Sequence, residues 1–288
     1  MFKKTPVLAT FLVVAIFCCV SPVALAYSNT IYNWSYKPEK DNKPVTTEPN
    51  YLEMLDRANG FFIGDTTQKE LYLTFDNGYE NGYTEKVLDV LKEKEVPAAF
   101  FVTGHYLNNA TDLVKRMVDE GHIVGNHSWH HPSLPEVGDG RLMNELNKVR
   151  DRFTEITGVK EMNYLRPPRG QFSERSLMLS EKLGYTNVFW SMAYKDWEVD
   201  KQKGGDYAYN QIMKRIHPGA VMLIHSVSSD NAEALPRVID DARQQGYVFK
   251  SLDDYMFNKQ TEELPFSSIK RDRITVLFGL IIRLLLCF

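Results

Sequence analysis

Cysteine is nearly missing from this 288-residue chain. Cys18 and Cys19 sit in an N-terminal apolar stretch, and the third, Cys287, is the penultimate residue. With that stretch removed, a single thiol remains. An internal disulfide is then excluded, and a core of the size this length allows must supply the stability. A dense basic stretch is also missing, and the net charge is −3. Phosphate binding needs a clustered positive footprint, so nucleic acid is excluded as a partner. There is no glycine-rich dinucleotide turn, no internal repeat and no low-complexity tract. With 43% hydrophobic and 25% charged residues the chain reads as one ordinary globular domain, not a disordered one.

The ends differ from the middle. Lys3 and Lys4 precede an almost wholly apolar run, Pro6 to Val20, and Ala24-Leu25-Ala26 has the small-x-small form of a signal cleavage site. Residues 1–26 therefore read as a secretory signal, with a mature start at Tyr27; an uncleaved anchor is the alternative. Phe17 before Cys18 is too large for a lipoprotein site. Cleavage removes two lysines and no acid, taking the net charge to −5. Residues 261–288 form a tail whose last part, ITVLFGLIIRLLLCF, is apolar apart from Arg283. As a helix that part is about 22 Å long, short of a ~30 Å hydrocarbon core. It suits the membrane interface, with Arg271 and Arg273 near headgroups, or packing on the domain.

Residues 27–66, with Pro38, Pro44 and Pro49, read as an extended arm before a domain spanning 67–260. There, apolar strand-like runs recur at Leu71–Phe75, Ala98–Val102, Ile123–Gly125, Tyr164–Leu165, Val188–Met192, Ala220–Ile224 and Val248–Leu252. Helical patterns separate them, at Thr84–Glu93, Asp112–Glu120, Arg141–Thr157, Glu174–Leu183, Tyr207–Arg215 and Ala232–Gln245, several followed by a glycine stop. Alternation of this kind predicts a parallel α/β sheet with helices outside. Seven strands in about 190 residues predict a small or incomplete barrel, with a doubly wound sheet as alternative.

Five polar motifs close these runs: TFDNG (74–78), HSWHH (127–131), RPPRG (166–170), KDW (195–197) and LIH (223–225). A parallel barrel gathers its active site where strand C-termini converge, so these groups should meet. Asp76 at a strand end suits a general base, though Asp-Asn-Gly is also strong turn chemistry. Four of the seven histidines fall between 122 and 131. On a helical turn His127 and His131 share a face and reach one ion, while His130 points away. Two prolines stiffen RPPRG and leave Arg169 as the next free amide, which suits an oxyanion site. Asp196, Trp197, Leu223 and His225 close the last two runs.

With these motifs in this order, the chain resembles the polysaccharide deacetylases of carbohydrate esterase family 4, over roughly residues 67–256. The resemblance implies a distorted (β/α)7 barrel and hydrolysis of an N-acetyl group from an amino sugar. By position it implies Asp76 as general base, oriented by Arg166. It implies His225 as general acid, kept charged by Asp196. The Arg169 amide would hold the oxyanion, and Trp197 and Leu223 would wall the acetyl pocket. His127 and His131 would bind a divalent metal, zinc or a similar ion. The family's third ligand, an aspartate, is Asn77 here, and an amide oxygen brings no charge. A second departure puts Arg169 where the family usually has an aromatic residue. With the extended motif TFDNGYENGYT, the chain looks most similar to the peptidoglycan N-acetylmuramic acid deacetylases of spore-forming bacteria, which act in making the muramic δ-lactam of spore cortex. The implied partner is then a peptidoglycan strand met by an exported monomer in the cell wall or spore envelope. Arg169 could pair with a muramic carboxylate. Chitin, N-acetylglucosamine or xylan polymers are the alternative substrates, and a sugar-binding pseudoenzyme is the alternative of another class.

Overall fold

The computed structural model describes residues 27–263. Residues 1–26, read above as a secretory signal, and residues 264–288, Cys287 among them, lie outside the described residues. The strands are β1 (Tyr32–Asn33), β2 (Gly60–Phe61), β3 (Glu70–Asn77), β4 (Ala98–Val102), β5 (Ile123–Asn126), β6 (Tyr164–Leu165), β7 (Gln171–Phe172), β8 (Thr186–Val188), β9 (Met192–Ala193), β10 (Ala220–Ile224) and β11 (Val248–Phe249). The helices are α1 (Pro49–Arg57), α2 (Thr84–Glu93), α3 (Gly104–Asn109), α4 (Thr111–Asp119), α5 (Asp139–Thr157), α6 (Glu174–Lys182), α7 (Gly205–Met213), α8 (Ser229–Gln244) and α9 (Leu252–Glu263).

All main-sheet pairings are parallel, in the order β2-β8-β6-β5-β4-β3-β10-β9, with β11 also on β3. The sheet curls without completing a ladder between β2 and β9. This is the expected distorted barrel. Its strands are buried on both faces, which is why β3 reads as a nearly continuous apolar run. Leu71, Leu73 and Phe75 face the helices. Tyr72 faces the interior with Phe101, Tyr164, Val188 and Val221, and Thr74 and Asp76 continue that face toward the mouth.

The six helical patterns each match a helix to within a few residues at either end. Glycines 121, 158, 184 and 246 all have positive φ, and Gly158 is the left-handed cap of α5. Three expectations are corrected. The run Val188–Met192 is not one strand: β8 ends at Val188 and β9 begins at Met192. The intervening Phe189 packs against Trp34 at 4.6 Å between centroids, drawing the chain off the sheet. The run Val248–Leu252 yields two strand residues and then α9. That helix places Leu252, Tyr255 and Met256 against the barrel interior, with Tyr164 Oη donating to Asp253 at 2.6 Å. The arm at 27–66 is not simply extended. It carries α1 and adds β2 beside β8, because Trp34, Leu55 and Phe62 have a core of their own to fill against Phe172, Leu177 and Phe189.

Gly125 on β5 gives Phe101 its place. A Cβ there would lie 2.7 Å from the Phe101 ring and 3.2 Å from the Tyr164 carbonyl. Gly125→Ala should therefore lower unfolding stability by about 1–3 kcal/mol through overpacking. Urea denaturation checks this, and an unchanged midpoint would mean that the ring moves aside freely.

Candidate active site

At the C-terminal end of β3 lies Asp76, only 7% exposed. A carboxylate so buried needs a partner, and the fully buried Arg166, just after β6, supplies it. Arg166 Nη1 donates to Asp76 Oδ1 at 2.8 Å and Nη2 to Thr74 Oγ1 at 2.8 Å. Its Nε donates to the Val188 carbonyl at 3.2 Å, and the guanidinium lies 4.2 Å above the Phe101 ring. Burial pushes the Asp76 pKa up, but Arg166, with His127 and His225, more than offsets it and holds the carboxyl below its usual range. Asp76 is thus an ionised acceptor held in one orientation.

The histidine motif leaves β5 at His127. Segment 127–131 is not a helical turn, contrary to expectation. Ser128 and His131 have left-handed backbones, with φ of 63° and 57°. Local hydrogen bonds hold this tight turn: Ser128 N donates to Asn126 Oδ1 at 2.9 Å and His131 N to Ser128 Oγ at 3.0 Å. The two imidazoles still meet, with Nε2 atoms 3.2 Å apart. His127 Nδ1 lies 2.8 Å from the Arg166 carbonyl, so that nitrogen carries the proton and Nε2 presents a lone pair. Burial lowers the pKa of both rings, that of His131 to about 3, with each other's proximity adding to it for His131. Both are neutral and fit a cation. Among the described residues no three His, Cys, Asp or Glu side chains gather as a metal site. Asn77, next to Asp76 at the end of β3, is fully buried, and its Oδ1 has no hydrogen-bond partner. His130 turns away as expected and binds Glu145 at 2.9 Å. His122 is buried against Phe100 and takes no part.

The second acid–imidazole pair comes from the opposite side of the mouth. Asp196 Oδ1 lies 2.8 Å from His225 Nδ1, and its Oδ2 accepts from the His225 amide at 2.8 Å and from Asn231 Nδ2 at 2.6 Å. Burial pulls the His225 pKa down, but Asp196, with Asp76, more than offsets it and raises it. Trp197 lies tilted against His225 at 5.5 Å between centroids and is 49% exposed, a wall instead of a core residue. Leu223 is buried on the strand face of Val221, two residues nearer the mouth. Arg169 follows two prolines with a left-handed backbone, φ 62°. Its exposed side chain has no hydrogen bond or ion pair among the described residues and lies close enough to His131 to depress that ring's pKa. A cleft of about 810 Å³ opens beside His131, lined by Tyr79, His105, Asn108, Trp129 and His130 among others. The arrangement thus joins a carboxylate biased toward ionisation, an imidazole biased toward protonation and a pair of neutral imidazoles around one mouth. Motif reading gave no role to Thr74, the first residue of TFDNG, and missed Asn231 and Glu145, whose only sequence signal was a polar residue type within a helix.

The family model for polysaccharide deacetylases matches residues 63–188. The peptidoglycan-N-acetylmuramic acid deacetylase PdaA of Bacillus subtilis is 49% identical over 237 residues, 82% of this chain and 90% of that one. The chain belongs to the polysaccharide deacetylase family. The solved structure of Bacillus subtilis PdaA, a family 4 carbohydrate esterase, matches with a TM-score of 0.79 over 81% of this chain and 99% of that one. A family 4 carbohydrate esterase from Bacillus anthracis is 51% identical, with a TM-score of 0.69 over 81% of this chain and 99% of that one. A Geobacillus stearothermophilus protein described as an uncharacterized 30.6 kDa protein in fumA 3'region is 52% identical, over 88% of this chain and 96% of its own length.

The raised His225 pKa has a defined sign. The stability it contributes is fully present below the usual value of 6.5 and is lost as pH rises through the folded value. In an NMR titration the His225 ring should show a midpoint above 6.5, and Asp196→Asn should move it down. A wild-type midpoint at or below the usual value would overturn the pairing.

Proposed function

We propose that this protein removes the N-acetyl group from N-acetylmuramic acid residues of peptidoglycan, outside the cytoplasmic membrane, as a step toward the muramic δ-lactam of spore cortex. The observation that carries the chemistry is the pairing of two oppositely biased groups across one mouth, Asp76 held ionised by Arg166 and His225 held protonated by Asp196. The muramic specificity rests on the close likeness to the Bacillus subtilis enzyme.

In this reading Asp76 takes a proton from water as its oxygen attacks the acetyl carbonyl carbon. The Arg169 amide receives the developing oxyanion. His225 then gives its Nε2 proton to the sugar nitrogen as the C–N bond breaks, releasing acetate and a free amine. Asp196 keeps the imidazole oriented throughout and favours its charged form until that proton is given up. Trp197 and Leu223 flank the acetyl methyl. His127, His131 and the Asn77 amide oxygen would hold a divalent cation, zinc or a similar ion. Such an ion supplies Lewis-acid polarisation of the carbonyl.

Asp76→Asn and His225→Ala should each lower turnover by roughly 10²–10⁴ while leaving the fold intact. Mass spectrometry of purified peptidoglycan after incubation checks both the acetyl loss and which sugar lost it. Deacetylated N-acetylglucosamine with intact muramic residues would replace the proposed substrate by the other wall sugar.

The unpaired Arg169 guanidinium favours a muramic carboxylate as its partner. Arg169→Ala should raise KM for muramic substrates roughly ten- to hundred-fold, the range of a lost charge-assisted hydrogen bond. Uncharged N-acetylglucosamine oligomers should show little change, because the backbone amide remains. Equal losses on both would place Arg169 in general sugar binding.

A further inference from the structure

Behind Asn77 lies a chain of polar side chains that none of the five motifs contains in full. Asn77 Nδ2 lies 2.7 Å from Ser226 Oγ. Ser226 Oγ lies 2.8 Å from Thr84 Oγ1, which in turn bonds to Glu80 Oε2. Glu80 Oε1 accepts from the Gly82 amide at 2.6 Å and, more weakly, from the Thr84 amide at 3.4 Å. Tyr106 Oη donates to Glu80 Oε2 at 3.2 Å. Asn77, Thr84 and Ser226 are buried, so no alternative water partner is at hand.

The Tyr106 hydroxyl also lies beside Thr84 and Asn77, and along the links themselves the short contact at the Glu80 end sets the direction of the protons. The Glu80 carboxylate only accepts, so Thr84 must spend its single hydroxyl proton on it. Ser226 must then donate to Thr84. Its remaining lone pair accepts from Asn77, and only the amide nitrogen can serve. The orientation of a buried amide, ordinarily ambiguous, is thereby decided, and the oxygen is left facing the other way without a partner. We infer that Glu80, Thr84 and Ser226 form a positioning relay that fixes the Asn77 amide oxygen as the neutral third donor of the His127–His131 centre.

The relay also accounts for an amide at position 77. Its three links need three protons, and asparagine, serine and threonine supply one each. An aspartate there would leave two protons for three links between two carboxylates. Asn77 and Glu80 are therefore coupled. Glu80→Gln reverses the relay. The Gly82 amide cannot turn, so the new side chain must keep its oxygen toward Gly82 and present its NH2 to Thr84. Thr84 then donates to Ser226, Ser226 donates onward, and the Asn77 amide must flip, withdrawing its oxygen from the centre. Asn77→Asp combined with Glu80→Gln again has three protons for three links.

This inference rests on the proposed reading of His127 and His131 as a cation site, and two measurements on four proteins separate the failures. Calorimetric zinc titration, without substrate, should show Glu80→Gln binding roughly tenfold or more weakly than wild type, the usual effect of losing an orienting partner. Asn77→Asp/Glu80→Gln should bind at least as tightly as wild type. A folded Glu80→Gln protein with unchanged zinc affinity overturns the relay. If the wild type itself binds no zinc, the cation reading fails, and urea unfolding of the same four proteins decides the relay alone. Single substitutions whose losses exceed that of the double variant support it. Losses that simply add overturn it.

Discussion

The buried ion pair between Arg166 and Asp76 is the constraint around which the rest of the site is arranged. A guanidinium with no solvent contact is costly unless its donors are used. Here they go to Asp76 from β3, Thr74 from the same strand, and the Val188 and Phe189 carbonyls at the end of β8. The Phe101 ring from β4 lies beneath the charge. The carbonyl of Arg166 itself takes His127 Nδ1. One residue thus ties the first three motifs together and selects the tautomer of a histidine. Removing it would strand a carboxylate among aromatic rings.

Across the mouth, Asp196 does for His225 what Arg166 does for Asp76, with the signs exchanged. Each pair joins one acidic and one basic side chain, and the biases are opposite: Asp76 is held toward its ionised form and His225 toward its protonated form. That division suits a hydrolysis in which one proton is taken from water and one is given to a leaving nitrogen. Asn231 on α8 stiffens the second pair by donating to both Asp196 and the His225 carbonyl. The Asp196–His225 pair is therefore anchored to a helix, and the Asp76–Arg166 pair to the strands of the sheet.

The third group, the two histidines with Asn77, is made of neutral side chains, with the Asp76 carboxylate 3.4 Å from His127 Nε2. Their rings are kept uncharged by burial, and the amide carries no charge. Much of the surrounding polar structure serves to orient them. Asn126 and Ser128 shape the turn, and Glu145 from α5 holds His130 by both its ring and its amide.

Much of this was legible in the sequence. The alternation of apolar runs with helical periodicity determined the parallel barrel, because both patterns are local and burial on two faces leaves a continuous apolar signature. Motifs at strand ends determined which residues share the mouth, since parallel strands all point their C-termini one way. Tertiary structure alone decided the rest. Residues 127–131 form a turn with two left-handed residues because Asn126 and Ser128 compete with helical bonding, something residue spacing does not register. The N-terminal segment joins the sheet because its aromatic residues find Phe172 and Phe189 more than a hundred positions away. The links from Asn77 to Ser226 and from Arg166 to Asp76 span 149 and 90 residues. A hydrogen bond acquires its direction only when both partners and their neighbours are in place. For that reason the motifs could say which residues gather at the mouth, while the orientation of the Asn77 amide required the fold.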